Sequence, residues 1–593
     1  MSRSTRRTRA LVSLTAVAGL GLAGAAVGSA PAQSAAPAGD CAVAFPVGDL
    51  AAGDAVTGLT VTRGTTPEGF TGEVLGVLDD GIGPDVDMIM VRLTSPEIDR
   101  VGIWQGMSGS PVYAADGRLI GAVSYGLAMG TSPVAGVTPF AVMDDHLADP
   151  PAKVAVDRAA ARRIARGGDV SVARAAGGFA QLPMPLGVAG VGAARIAAAA
   201  DRAGDRTWVP RSAYAVGRAG AADATADDIV AGGNLAASMS YGDVTMAGVG
   251  TATSVCGDRV VGFGHPLDYQ GSTSMALHPA DAIYIQEDLV AGFKVANLGA
   301  PVGTITDDRL AGITGTVGVL PDTRDITSTL TYDGRSRTGV SHVSLGTPDA
   351  LASASFYELI ANHQAVVDGP VRGTEDLAWT ITGTADGQPF ELTSDDLYTS
   401  ASDLTWQLGF ALGDTVYAIA RIPGVTIDAV TTNGDLGDTA SPYRVAKVET
   451  RVAGQWMEVS RRTGVPARSG GVLPVRVTLQ HDDQATVVRT TLDVPTLKKR
   501  GRPMFLQVAG GSRVGGGRMP RTIDGIATWL EQRVRNDELL VSLTRRPQFG
   551  GAGAYDTIIV AGRRAAGDGT VQQVFGPYGA VVRGNVVAPV FGG

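Results

Sequence analysis

Several things are scarce in this chain, and each scarcity excludes something. Cysteine occurs twice, at Cys41 and Cys256, without the count or the clustering with histidine that a zinc site needs. Lysine supplies only 5 of the 49 basic residues, and the formal charge is −9. With no basic cluster beyond Lys498-Lys499-Arg500, a nucleic-acid partner is excluded. Apolar runs long enough to cross a bilayer are missing after residue 27, so no later segment reads as a membrane span. Histidine is limited to six positions, which keeps the candidates for a general base few. Glycine, by contrast, fills 81 positions and lets the main chain turn tightly at many points.

The N-terminus reads as an export signal. Arg3, Arg6, Arg7 and Arg9 precede an apolar stretch from Ala10 to Val27 and a small-residue cleavage site at Ala30-Pro31-Ala32 or Ala35-Ala36. That order is a signal peptide over residues 1–32. Its removal takes four arginines and no acid, moving the formal charge from −9 to −13. The mature chain is expected outside the cell or in the cell envelope. In that compartment the two cysteines predict a Cys41–Cys256 disulfide, worth roughly 4–5 kcal/mol in the chain-entropy model because the loop is long.

The most informative stretch is Gly106-Met107-Ser108-Gly109-Ser110-Pro111, between the strand-like runs Met88–Leu93 and Leu119–Tyr125. A serine hydroxyl attacks a carbonyl only when the backbone exposes it and a base takes its proton. Small residues around Ser108 allow such a turn, and the amides of Gly106 and Ser108 are placed to meet a tetrahedral oxyanion. Ser110 is the competing nucleophile, and a Gly/Ser hairpin is the structural alternative. Among the histidines, His265 ends the apolar run Val260-Val261-Gly262-Phe263-Gly264 at a Gly-His-Pro corner, which projects the ring from a strand end. His278 is the second candidate base, and Lys294 would serve in a serine–lysine dyad.

Taken together, these blocks resemble the sporulation factor IV B family of serine peptidases. The resemblance rests on the serine turn with Val112-Tyr113, Asp116-Gly117-Arg118-Leu119-Ile120-Gly121-Ala122 and Ala135-Gly136-Val137-Thr138-Pro139. It extends over Gly262-Phe263-Gly264-His265-Pro266, Phe293-Lys294-Val295-Ala296-Asn297 and the stretch from Val302 to Gly315. About half the chain is covered, residues 45 to 320. The resemblance implies a serine endopeptidase with a chymotrypsin-like β-barrel site, Ser108 as nucleophile and His265 as base. The chain departs from the family in placing its serine block first, and no PDZ-like segment precedes Ser108. Triads are defined by spatial roles, so a permuted order can still assemble one. For the third member, Asp87 opens a strand in a pattern resembling the chymotrypsin-like acid, with Asp85, Asp99, Asp258 and Asp307 as alternatives.

The expected fold is mainly β: a double-barrel peptidase core in permuted order, then β-sandwich-like C-terminal domains with a few helices. Residues 40–150 form the serine block, 151–235 a bridging segment and 236–325 the histidine block. A mixed β/α domain follows over 326–442. Strict alternation with regular turns predicts an immunoglobulin-like sandwich over 443–510, and 511–593 is a β/α segment. The expected function is secreted serine endopeptidase acting on a protein or peptide substrate, with self-processing as one outcome and no metal or organic cofactor. The rival expectation is an inactive, β-rich binding or scaffold protein of the envelope.

Overall fold

Six strands follow one another from Ala55 to Pro139: Ala55–Thr60, Glu68–Gly83, Val86–Thr94, Pro111–Ala114, Leu119–Leu127 and Val134–Pro139. In this computed structural model, which describes residues 41–592 apart from 128–129, 144–152, 155, 168–169, 183–185, 289–291, 461, 497–503, 515–518 and 546–569, they close into an antiparallel barrel. Closure comes from pairing of Pro111–Ala114 with both Ala55–Thr60 and Leu119–Leu127. Phe70, Val74, Ile89, Val91, Trp104, Met107, Ile120, Val123 and Val137 fill the interior. The signal-peptide reading falls on residues outside those described.

A second antiparallel ring of six strands closes from Asn234–Gly242, Thr245–Cys256, Arg259–Gly262, Gly271–His278, Gly303–Arg309 and Gly312–Val317. Leu235, Val255, Phe263, Met275, Leu277, Ile305 and Ile313 pack inside it. The protein is thus mainly β, with 49% strand against 18% helix, in agreement with the sequence. Between the barrels, Leu119 and Ala122 of the first meet Val261 and Ala311 of the second in a shared apolar cluster. Closed rings leave no unpaired strand edges, which gives both faces of this junction a stiff backing.

A two-stranded ribbon, Ala280–Gln286 with Phe293–Leu298, stands apart from both rings. It reaches the first barrel through an antiparallel bridge from Ala282 to Gly64 and a parallel bridge from Phe293 to Gln105. The bridging segment holds the helices Arg158–Gly167 and Ala193–Arg202.

The histidine block is not a separate hydrogen-bonded unit. The far end of strand Asn234–Gly242 pairs with Arg335–Val343, and the sheet continues through Arg324–Tyr332, Val425–Gly437, Gly373–Ala385 and Gln388–Ser400. Helices Pro348–Val367 and Thr405–Ala420 pack together and share its core. Thr347 caps the first through its side chain, with Pro348 at the first helical turn, the expected start signal.

After residue 443, two five-stranded sheets share one apolar core. One holds Tyr443–Val452, Val472–His481 and Gln484–Asp493; the other joins Met504–Gly510 to Leu539–Thr544 and Asn585–Gly592. Residue 510 therefore ends a strand whose partners come from both later segments. The helix Ile523–Gln532, which Thr522 caps by accepting from Gly525 N–H, lies outside these sheets.

Cys41 and Cys256 are bonded, as expected, with Cα atoms 4.6 Å apart across a sequence separation of 215. Just beyond Cys41, Phe45 N–H donates to Leu119 O, and Leu119 N–H donates to Val43 O. Cys256 ends strand Thr245–Cys256 of the second barrel, so the bond staples the two barrels together. Replacing both cysteines by serine is expected to destabilise the protein by about 5 kcal/mol in the chain-entropy model. The checking measurement is the denaturant midpoint of the Cys41→Ser/Cys256→Ser variant against the oxidised wild type.

Candidate active site

The path into the serine turn is set locally. Ser95 caps the short helix Pro96–Val101 by accepting from Ile98 N–H, and Gly102, at φ 72°, ends it. The chain then makes two tight turns, Met107 N–H to Trp104 O and Ser110 N–H to Met107 O. Gly106 and Gly109 have φ of 94° and 96°, a region that side chains resist. At Gly109 the space is closed as well, since a Cβ would lie 1.8 Å from Thr251 O.

The second barrel grips this turn by its carbonyls. Thr251 N–H donates to Ser108 O (2.8 Å), Thr251 Oγ1 to Gly106 O (3.1 Å) and Thr253 Oγ1 to Gly109 O (2.7 Å). With the carbonyls drawn to one side, the peptide N–H groups face elsewhere. Those of Met107, Gly109 and Ser110 find Trp104 O, Val123 O and Met107 O. The amides of Gly106 and Ser108 have no protein acceptor among the described residues. Buried N–H groups are nearly always paired, so the Gly106 and Ser108 amides are left as donors beside the Ser108 hydroxyl.

His265 reaches the same point from the other barrel. Phe263 (φ 67°) and Gly264 (φ 69°) turn the chain at the end of strand Arg259–Gly262. A Cβ on Gly264 would lie 2.0 Å from Ser124 Oγ, so the corner is wedged against the first barrel. Thr138 of that barrel fastens it further, donating from Oγ1 to Gly264 O at 2.6 Å. Beyond the corner, the buried carboxylate of Asp308 accepts from the N–H groups of Leu267, Asp268 and Gln270. Its neighbour Asp307, one of the sequence alternatives for the acid, pairs with Arg309. A carboxylate that ties a loop through three amides leaves no spacing signature.

His265 Nε2 lies 2.8 Å from Ser108 Oγ, and Nδ1 lies 2.7 Å from Pro266 O. A carbonyl only accepts, so Nδ1 carries the ring proton and Nε2 presents its lone pair to the serine hydroxyl. This is the tautomer a general base requires. Ser108 and His265 are both fully buried. Burial also holds the imidazole pKa down, near 4, outweighing the Pro266 carbonyl that favours its charged form.

Asp87 does not join them. Its carboxylate accepts from Asp80 N–H in the turn between Glu68–Gly83 and Val86–Thr94, and no hydrogen bond links it to the ring. The strand was legible in the sequence; the acid's direction was not, because hairpin geometry turned it to its own backbone. Asp85 N–H bonds Asp80 in the same turn, and Asp99 accepts from Thr94. Ser110 Oγ donates to Thr60 Oγ1. His278 Nε2 meets Ser238 Oγ at 2.8 Å and its Nδ1 meets Gly299 O, a buried cross-strand pair inside the second barrel. Lys294 Nζ donates to Asn234 Oδ1 and not to Ser108.

Among the described residues no group of three or more histidine, cysteine or acidic side chains could hold a metal. The arrangement can transfer a proton from hydroxyl to imidazole and hold an oxyanion. No protein-family model, curated protein or solved structure matches this chain.

Two predictions follow from this geometry. Neutral His265 accepts a proton, and it is lost as pH falls through its own pKa; the rate of serine-directed fluorophosphonate labelling at Ser108 should therefore halve near pH 4, well below the ordinary histidine value of about 6.5. Asp87→Ala should leave that rate within about twofold of wild type, since surface turn contacts carry little beyond local stability.

Proposed function

We propose that this chain is an exported serine endopeptidase of the sporulation factor IV B type, a chymotrypsin-like double barrel in permuted order with a sandwich-like C-terminal half. The observation that carries this reading is the 2.8 Å contact of His265 Nε2 with Ser108 Oγ beside the two unpartnered amides of Gly106 and Ser108. The disulfide is compatible with export, and among the described residues no helix is long and apolar enough to cross a membrane.

In the proposed reaction, Ser108 Oγ attacks a peptide carbonyl carbon while its proton passes to His265 Nε2. The carbonyl oxygen becomes an oxyanion held by the Gly106 and Ser108 amides. As the C–N bond breaks, the imidazolium gives that proton to the leaving amine, and water repeats the sequence to release the acid. Pro266 O holds the ring's orientation through Nδ1–H. The substrate is a protein or peptide, the chain itself included.

Complete burial of the dyad favours a second reading, a β-rich scaffold in which the barrels persist without turnover. Fluorophosphonate labelling of the folded, processed protein decides between them. Labelling at Ser108 that is absent in Ser108→Ala and His265→Ala, with turnover lost on the order of a million-fold, supports the peptidase. A folded wild type that takes no label at any pH establishes the scaffold.

A further inference from the structure

Among the described residues Lys294 is the fully buried lysine, and no acidic side chain pairs with it. The side chain is 1% exposed. Its amine donates to Asn234 Oδ1 at 2.8 Å, and none of its contacts is an ion pair. Asn234 is itself buried and fully committed: its Nδ2 donates to Gly64 O (3.0 Å) and Ala280 O (2.9 Å). Two carbonyls on one side and an amine on the other fix how the amide is turned. A solitary amine in such a place is costly, because burial without a counter-charge disfavours its protonated form. Methionine or leucine would fill the volume without that cost, so packing alone does not explain a lysine here.

Its position does. Lys294 N–H donates to Gln105 O, and Gln105 N–H donates to Gly292 O, so the ribbon strand Phe293–Leu298 lies directly along the residue preceding Gly106. The lysine stem covers Gly106: a Cβ there would be 2.8 Å from Lys294 Cβ and 3.6 Å from its Cδ. Bond lengths then keep Nζ within about 8 Å of Gly106 Cα. Gly106 supplies one of the two unpartnered amides.

We propose that Lys294 is a positioning residue for the oxyanion pocket, its stem holding the Gly106 amide in place and its ammonium, tied to Asn234, supporting negative charge as the oxyanion develops. The inference rests on the peptidase reading. At short range in a water-poor site, a positive charge acts strongly on an oxyanion. Burial lowers the amine pKa to about 7, and no charged group contributes to that shift. A Cβ on Gly106 would also lie 3.3 Å from Val249 O of strand Thr245–Cys256, and the polar partner of the Lys294 amine is Asn234, at the start of Asn234–Gly242. The amine is therefore charged below neutrality and loses its proton as pH rises through about 7.

The test measures the fluorophosphonate labelling rate of Ser108 against pH in wild type, Lys294→Met and Asn234→Asp, with thermal midpoints showing that each variant is folded. In wild type the rate should fall about tenfold between about pH 5.5 and about pH 8.5. Lys294→Met should be slower by about tenfold or more at the acidic end and flat with pH, which loss of packing alone would not produce. Asn234→Asp supplies a counter-charge and should move the alkaline limb to higher pH. A wild-type rate that is level or rises with pH overturns the proposal, as does a folded Lys294→Met within twofold of wild type. If Lys294→Met does not fold, an unmoved limb in Asn234→Asp overturns it alone. A folded wild type without label overturns the peptidase reading and this inference with it, whereas a labelled wild type indifferent to Lys294 removes only the inference.

Discussion

The arrangement depends on hydrogen bonds that run from one barrel to the carbonyls of the other. Strand Thr245–Cys256 reaches across with Thr251 and Thr253 to Gly106 O, Ser108 O and Gly109 O. A peptide unit that turns its C=O one way turns its N–H the other. Those captured carbonyls orient the N–H groups of Met107, Gly109 and Ser110, whereas the Gly106 and Ser108 amides belong to peptide units whose carbonyls, Gln105 O and Met107 O, accept from Lys294 N–H and Ser110 N–H. The same contact sets the distance between Ser108 and His265, because the strand after Thr245–Cys256 leads straight into the Gly-His-Pro corner.

Around that contact the molecule limits the relative motion of the two barrels. Cys41–Cys256 joins the far end of the gripping strand to chain that hydrogen-bonds Leu119. Thr138 and Ser124 of the first barrel meet Gly264, while Asp308 gathers the loop that follows. Asn234 joins the ribbon, the loop at Gly64 and Lys294 at a single buried amide. Buried polar groups that are fully satisfied specify one arrangement more sharply than apolar packing does. The result is a buried Ser108–His265 contact held in one arrangement, in surroundings where electrostatic interactions are stronger than in water.

Much of this was legible in the residues. Ser108 stood out because glycines flank it within a turn that no ordinary strand tolerates, and His265 because a strand runs into Gly-His-Pro. The paired cysteines and the mainly β character were readable for equally local reasons. The acid assignment failed at Asp87 because a carboxylate's partner depends on which backbone N–H the turn brings within reach, and Asp80 lay nearer. Likewise, a strand such as Met504–Gly510 reads as a domain end only until its partners at Leu539–Thr544 and Asn585–Gly592 are known.

From the order of residues alone came the mainly β character, the candidate nucleophile and base, and the two cysteines available to bond; these follow from local backbone preference and from which side chains can do chemistry at all. Tertiary structure alone decided that 157 residues of separation close to 2.8 Å, that Nδ1 faces a carbonyl, and that Lys294 lies over Gly106 and donates to Asn234. The physical reason is that pairing across strands distant in sequence, and the burial that follows from it, depend on the whole chain's packing and leave no trace in the spacing of neighbouring residues.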